Sequence, residues 1–220
     1  MIGFQFLSIE SFFMKRKIVE GPIRSKEKSK QKLLNAVGKL LRTKGYTALK
    51  VNDIATTAGL DKKLIYNYFG GTDQLIDEYI RSNDFWSNIS NTPTSITDGG
   101  EALTKEMLSS QFEYMFKNKE FQRIIIWRLS ESRKSLRKLT DKQEENGERL
   151  FQSIVDPHFG DNAKRYRAIT AVLISGLYYL NMYQAVNGSV FCGLDMKSEE
   201  GRNEVKEAVN FLIEQAYRNL

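Results

Sequence analysis

VNDIATTAGLDKKLIYNYF, residues 51–69, reads as two short helices crossing at a steep angle. Such a crossing needs a small side chain on the first helix, and Ala55 supplies it. The turn needs a residue that accepts positive φ, and Gly59 stands four positions later. Ile54, Ala58, Leu60 and Ile65 are the apolar side chains that close the miniature core, and Asp61 is placed to cap the second helix. DNA-reading hairpins use this geometry. The alternative, an ordinary helical hairpin in an all-α protein, uses the same packing residues.

The flanking sequence is helical in both directions. From about Lys26 to Lys44, Leu33, Leu34, Val37, Leu40 and Leu41 share one face at 3.6-residue spacing, and Gly45 follows as a left-handed C-cap. A longer helix starts near Asp73 with Leu75, Ile76, Tyr79 and Ile80 inward. Asn88 to Gly100, rich in Asn, Thr, Ser, Pro and Gly, reads as a loop and domain boundary. Beyond it, helices are expected over Glu101–Asn118, Phe121–Leu129, Arg133–Val155, Asn162–Val186 and Ser198–Asn219, with no alternating strand pattern. The predicted fold is all-α. A helix-turn-helix domain over 24–71 follows an N-terminal extension, 1–23, and precedes a larger helical ligand-binding and dimerisation domain, 72–220.

Charge is divided unevenly. Residues 1–75 hold 14 Lys/Arg against 6 Asp/Glu, a net of +8, while the remainder holds 19 against 21, a net of −2. A basic segment on a near-neutral body suits a polyanionic partner, although a solvated lysine-rich surface gives the same count. Position says more than count. Lys62 and Lys63 stand at the start of the second helix, where the macrodipole disfavours each cation by about 0.3–1 kcal/mol. Folding does not ask for them; a phosphate or a guanine edge does. The exposed face then offers Lys62, Lys63, Tyr66, Asn67 and Tyr68. The tyrosine hydroxyls suit phosphates and Asn67 suits an adenine, while the offset of Tyr68 also suits packing.

The stretch from about Ser29 to Ile80 resembles the DNA-binding domain of the tetracycline-repressor family. The resemblance rests on KGYTALKVNDIATTAGLDKKLIYNYFGGTDQLI: the pair Gly45-Tyr46, Asp53-Ile54-Ala55, the Ala58-Gly59 turn, and Tyr66 to Phe69. It implies three helices docked by a fourth onto a larger helical domain. Departures are Lys50 for the usual Thr at the head of the second helix, Lys63-Leu64 for a usual Gly-Thr, Tyr68 for a frequent His, and Thr72 where a phosphate-binding lysine is common. The DNA-contacting set expected is Arg24, Lys50, Lys62, Lys63, Tyr66, Asn67 and Tyr68, addressing a near-palindromic double-stranded operator.

In the family the last two long helices usually form a dimer interface. Two stripes fit it: Ile169, Val172, Leu173, Gly176, Leu177 and Leu180, then Val205, Ala208, Val209, Leu212, Ile213, Ala216, Tyr217 and Leu220. An intramolecular core explains one side of each equally well. A small apolar or aromatic ligand would need aromatic walls with a few polar tips, and Met107, Phe112, Met115, Phe116, Trp127, Tyr178, Tyr179, Met182 and Tyr183 are candidates. Single Cys192 and single His158 make a disulfide framework or a structural zinc site poor readings. No nucleophile–base pair or phosphate-binding glycine loop points to an enzyme, and no cofactor is expected. No apolar run reaches membrane-span length. Residues 1–13 lack a basic n-region and a cleavage site, so a signal peptide is rejected. Met14 before Lys15-Arg16-Lys17 is a plausible alternative start, and 1–13 an over-called or loosely packed extension. The expectation is a cytoplasmic homodimeric repressor released by a ligand, with a ligand-independent nucleoid-type DNA binder as the alternative.

Overall fold

The computed structural model describes residues 22–82 and 96–220, with side chains from Ser25 onward. The expectations for residues 1–13, for most of the extension 1–23, for the larger part of the Asn88–Gly100 loop and for the side chain of Arg24 lie outside the described residues.

Helix α1 spans Pro22–Lys44 and opens on a proline, whose missing N–H would be unpaired there in any case. Its apolar face buries Leu33, Ala36, Val37, Leu40 and Leu41. Gly38 lets α4 approach closely, since a Cβ there would stand 2.8 Å from the Tyr79 hydroxyl. Gly45 ends the helix at φ 81°, a conformation costly for any residue with a Cβ. A single 3-10 turn over Tyr46–Ala48 leads into α2 (Val51–Ala58), α3 (Lys63–Phe69) and α4 (Thr72–Ser82).

The second part comprises α5 (Glu101–Lys117), α6 (Lys119–Ser130), α7 (Lys134–Leu150), α8 (Asp156–Phe159), α9 (Ala163–Val186) and α10 (Glu199–Asn219). Two features depart from the expected run of plain helices. Between α7 and α8, Phe151–Val155 winds as a π-helical turn. Pro157 follows it and has no N–H for the Ser153 carbonyl, so the hydrogen-bond ladder is already weakened there. Between α9 and α10, β1 (Val190–Phe191) pairs antiparallel with β2 (Leu194–Asp195). Cys192 and Gly193 turn the ribbon at φ 50° and 80°, the positive-φ pair a two-residue hairpin demands.

Two hydrophobic clusters hold the helices. The first joins α1–α4 to Met115 of α5, to Phe121, Ile124, Ile125 and Trp127 of α6, and to Leu136 of α7. The second gathers Leu108 and Phe112 of α5, Val155, Phe159 of α8, Tyr166 and Leu177 of α9, Met196, and Val209, Ile213 and Ala216 of α10. The helix-turn-helix segment is therefore welded to the rest by core contacts. Polar contacts reinforce the joint. Trp127 stacks on Tyr46 at 5.5 Å and gives its indole N–H to Glu131 at 2.9 Å. Arg133, just ahead of α7, donates from Nε to Asp77 Oδ1 at 2.9 Å and from Nη2 to the Asp73 carbonyl at 2.9 Å. Its guanidinium also lies over the Trp127 ring, 5.6 Å from the centroid.

Burial pushes the Asp77 carboxyl up, but hydrogen bonds from Ser135 and Arg133 and the charge of Arg133 hold it below the ordinary carboxylate range. A depressed folded pKa means that the joint's contribution is complete above the unfolded value. It is lost as pH falls through the folded one. Asp77 is 38% exposed, so that contribution stays below about 1 kcal/mol. Asp77→Asn should therefore lower the urea midpoint at pH 7, and the gap to the parent should close below about pH 4. Paired urea melts at pH 7 and pH 3 check this; an equal gap at both values would remove the carboxylate charge from the joint.

Candidate nucleic-acid interface and ligand cavity

Helices α2 and α3 are eight and seven residues long, too short to persist alone in water. Ile54 and Ala55 are buried where α2 packs on α1, and Ile65 is buried on α3, which packs on α4. Gly59 caps α2 in the left-handed region at φ 65°, its N–H reaching the Ala55 and Thr56 carbonyls. Asp61 behaves as its spacing suggested: Oδ1 accepts the Lys63 N–H at 2.7 Å. Lys50, standing where a hydroxyl side chain would cap α2, makes no capping bond, and Asp53 supplies the favourable charge of the first turn instead.

Lys63, Tyr66 and Asn67 lie at i, i+3 and i+4 of α3, which places them on one face, and all three are exposed; Lys62, just ahead of α3, and Lys50, at the head of α2, are exposed as well. Tyr66 presents half of its surface although it is aromatic. Lys62, Lys63, Tyr66 and Asn67 are thus an exposed run of cations, a phenol and an amide on and just ahead of α3. Tyr68 does not join them. Its ring is half-buried against the first cluster, and the Lys26 ammonium sits 5.6 Å from its centroid. The packing alternative at that offset is the one realised, because one turn of α3 faces α1 while the other faces outward.

The second part holds a cavity of about 1000 Å³, counting its open mouth, between α5, α7, the π turn and α9. Leu103, Met107, Leu150, Ile154 and Ile174 make its apolar walls, with Gln111 and Gln143 among the polar residues that line it. Of the aromatic and methionine residues expected to form such a wall, Met107 is in place. Phe112 and Met115 are core. Phe116 lies under the Arg202 guanidinium at 4.0 Å, Trp127 serves the joint with Tyr46, and Met182 packs against the first cluster. Tyr179 and Tyr183 cluster with Phe191 of the ribbon, outside the cavity. Tyr178 falls between: it does not line the cavity, but its hydroxyl accepts from Gln111 at 2.9 Å and Gln143 at 3.3 Å, both of which do.

The walls went unread for a physical reason. They come from single faces of helices far apart in sequence, and from a π turn whose register no 3.6-residue pattern reveals. Residue size marked the core, since large side chains fill space wherever they are. One signal was available: Tyr166, Thr170 and Ile174 recur every four residues along α9, mixing a phenol and a hydroxyl into an otherwise apolar stripe.

The single His158 packs its ring against Tyr217 at 5.1 Å and Phe159 at 4.9 Å between centroids. Among the described residues no cluster of His, Cys, Asp and Glu could hold a metal ion, and no helix is long and apolar enough to cross a membrane.

Residues 33–79 match the family model described as bacterial regulatory proteins, tetR family, in agreement with the resemblance carried by residues 29–80. Solved structures share the fold over most of the chain. A Clostridium perfringens putative fatty acid metabolism regulator is 19% identical at a TM-score of 0.53, covering 83% of this chain and 96% of its own. NalD, the secondary repressor of the MexAB-OprM multidrug efflux pump in Pseudomonas aeruginosa, is 17% identical at 0.52, covering 89% and 97%. No curated protein matches the chain.

Asp61→Ala removes the carboxylate that ties the start of α3 and should cost about 0.5–2 kcal/mol in urea unfolding. Asp61→Asn, which keeps the acceptor, should recover most of the loss.

Proposed function

We propose that this chain is a transcriptional regulator that binds a near-palindromic DNA operator as a two-fold dimer and acts as a repressor released by a small ligand. The observation that carries the reading is α3: a short helix in a tetR-type domain whose N-terminal end carries two exposed lysines that helix energetics disfavour. Lys62 and Lys63 serve the phosphate backbone or a guanine edge, Tyr66 donates to phosphate, Asn67 reads a base edge, and Lys50 adds a backbone contact from the head of α2. Arg24, near the start of α1, supplies a further cation. Such work belongs in the cytoplasm, beside the DNA, and needs no catalytic centre.

Dimerisation follows from the surface of α9 and α10. The stripes read in the sequence divide in two. Leu177, Val209, Ile213 and Ala216 face the second cluster, whereas Val172 and Leu212 are exposed, joined by Tyr179 and Phe211 from outside the stripes, Val172 at 72% and Phe211 at 59%. An exposed aliphatic and aromatic face of this kind marks an association surface. Gly176 and Ala208, exposed beside these residues, let a partner helix approach closely. One α3 contacts few base pairs; two spaced about one helical turn apart read both half-sites and multiply affinity. The cavity supports a ligand step. A ligand that binds one spacing of the two α3 helices more tightly than the other shifts the dimer toward it, and its differential affinity sets the response.

Two measurements test this reading. Lys62→Ala and Lys63→Ala should each weaken binding to the operator about tenfold and flatten the salt dependence, with the dimer intact. Unchanged affinity in both variants would remove α3 from the interface. Leu212→Arg should convert the dimer to monomer in sedimentation velocity and cut operator affinity by more than tenfold; a dimer that survives it would place the two-fold contact elsewhere.

A further inference from the structure

Resting on the ligand-release reading above, we infer that the cavity takes an elongated, uncharged amphiphile whose oxygen acceptor sits at the Gln111–Tyr178–Gln143 end. The cavity is a slot. Along α5 its wall runs from Gly100 to Gln111, eleven residues and so about 16 Å at helical rise. Along α9 the stripe Tyr166, Thr170, Ile174 runs beside it, and Tyr178 continues that stripe one turn on. Length and apolar walls between the two ends call for a chain-like or flat hydrocarbon body.

The polar end is built from donors. Tyr178 accepts from Gln111 Nε2 and Gln143 Nε2, which uses both lone pairs of its hydroxyl and leaves its proton to give. Behind it, half-buried Arg128 donates to Gln143 Oε1 at 3.2 Å and forms no ion pair within 4 Å among the described residues. Burial raises the phenol's pKa first of all causes, so Tyr178 stays protonated and remains a donor across the physiological range. An acceptor oxygen takes the proton that Tyr178 has left to give. At the other end, the buried hydroxyl of Tyr166 closes no hydrogen bond of normal geometry, while Tyr217, 5.3 Å away ring to ring, gives its proton to the Gly99 carbonyl.

The preference for a neutral head follows from charge. Glu144 is the charged residue that lines the slot, and it is exposed at the wall, where water screens it. Arg128 does not line the slot and its hydrogen bond goes to Gln143, so among the described residues no buried charge faces a head group at the polar end. An ionised head would then leave water without a paired counter-charge, at a cost larger than one hydrogen bond returns.

The test uses the full-length dimer and four probes with one ten-carbon chain: decan-1-ol, methyl decanoate, decanoate and decylammonium. Equilibrium dialysis and thermal shift at pH 7 should rank the alcohol and the ester ahead of both ions by about tenfold or more. Tyr178→Phe should weaken the ester about five- to tenfold while leaving the unliganded Tm near the parent value, and Ile174→Trp should abolish binding by filling the slot. Decanoate or decylammonium binding as tightly as the ester would overturn the inference, as would the absence of binding by all four. Operator binding by the unliganded dimer is measured alongside. If it persists while the probes fail, the ligand class alone is wrong; if it is lost, the regulatory reading falls.

Discussion

The molecule depends on the burial of Ile65. A seven-residue helix has no independent existence in water, and α3 carries two lysines at the end where its own dipole opposes them. What holds it is one fully buried isoleucine in the same interior as Ile54 and Ala55 of α2, with α4 packed against α3. The Asp61 carboxylate on the Lys63 N–H offsets part of the electrostatic cost by placing a negative charge at the positive end of the helix. The presented surface is thus a local compromise, stabilised from beneath and disfavoured at its tip, a combination expected where a surface is shaped for a partner rather than for the fold.

This logic explains what was legible in the amino-acid sequence. Ala55, Gly59, Asp61 and Ile65 act through neighbours a few residues away, so their spacing alone specified the crossing, the turn, the cap and the core. Tyr68 marks the limit: its offset allowed either an outward or an inward ring, and only the position of α1 decides. The long helices were readable because their apolar stripes persist for several turns. The π turn and the ribbon were not. The first depends on a ladder weakened by Pro157, and the second on a two-residue turn in which a cysteine takes the positive-φ place usually filled by Asn or Asp.

The cavity illustrates a different limit. Large side chains at helical spacing identify what is inside, and inside is mostly core. Trp127 and Phe112 are buried for packing, and Trp127 also carries the joint to Tyr46 and Arg133. The slot is instead defined by the residues that fail to fill it, Gly100, Thr104, Gly147 and Thr170 among them, and smallness leaves no signature without knowing what lies opposite. Arg133 is likewise silent in the sequence, because its aspartate partners, Asp73 and Asp77, are more than fifty residues away.

Helices α5 and α9 each serve both clusters. Met115 of α5 belongs to the interior shared with the head, while Phe112, one turn earlier, belongs to the interior shared with α9 and α10. Close-packed interiors transmit force and scarcely compress, so a displacement of α5 beside the cavity is felt by the packed side chains of both interiors at once.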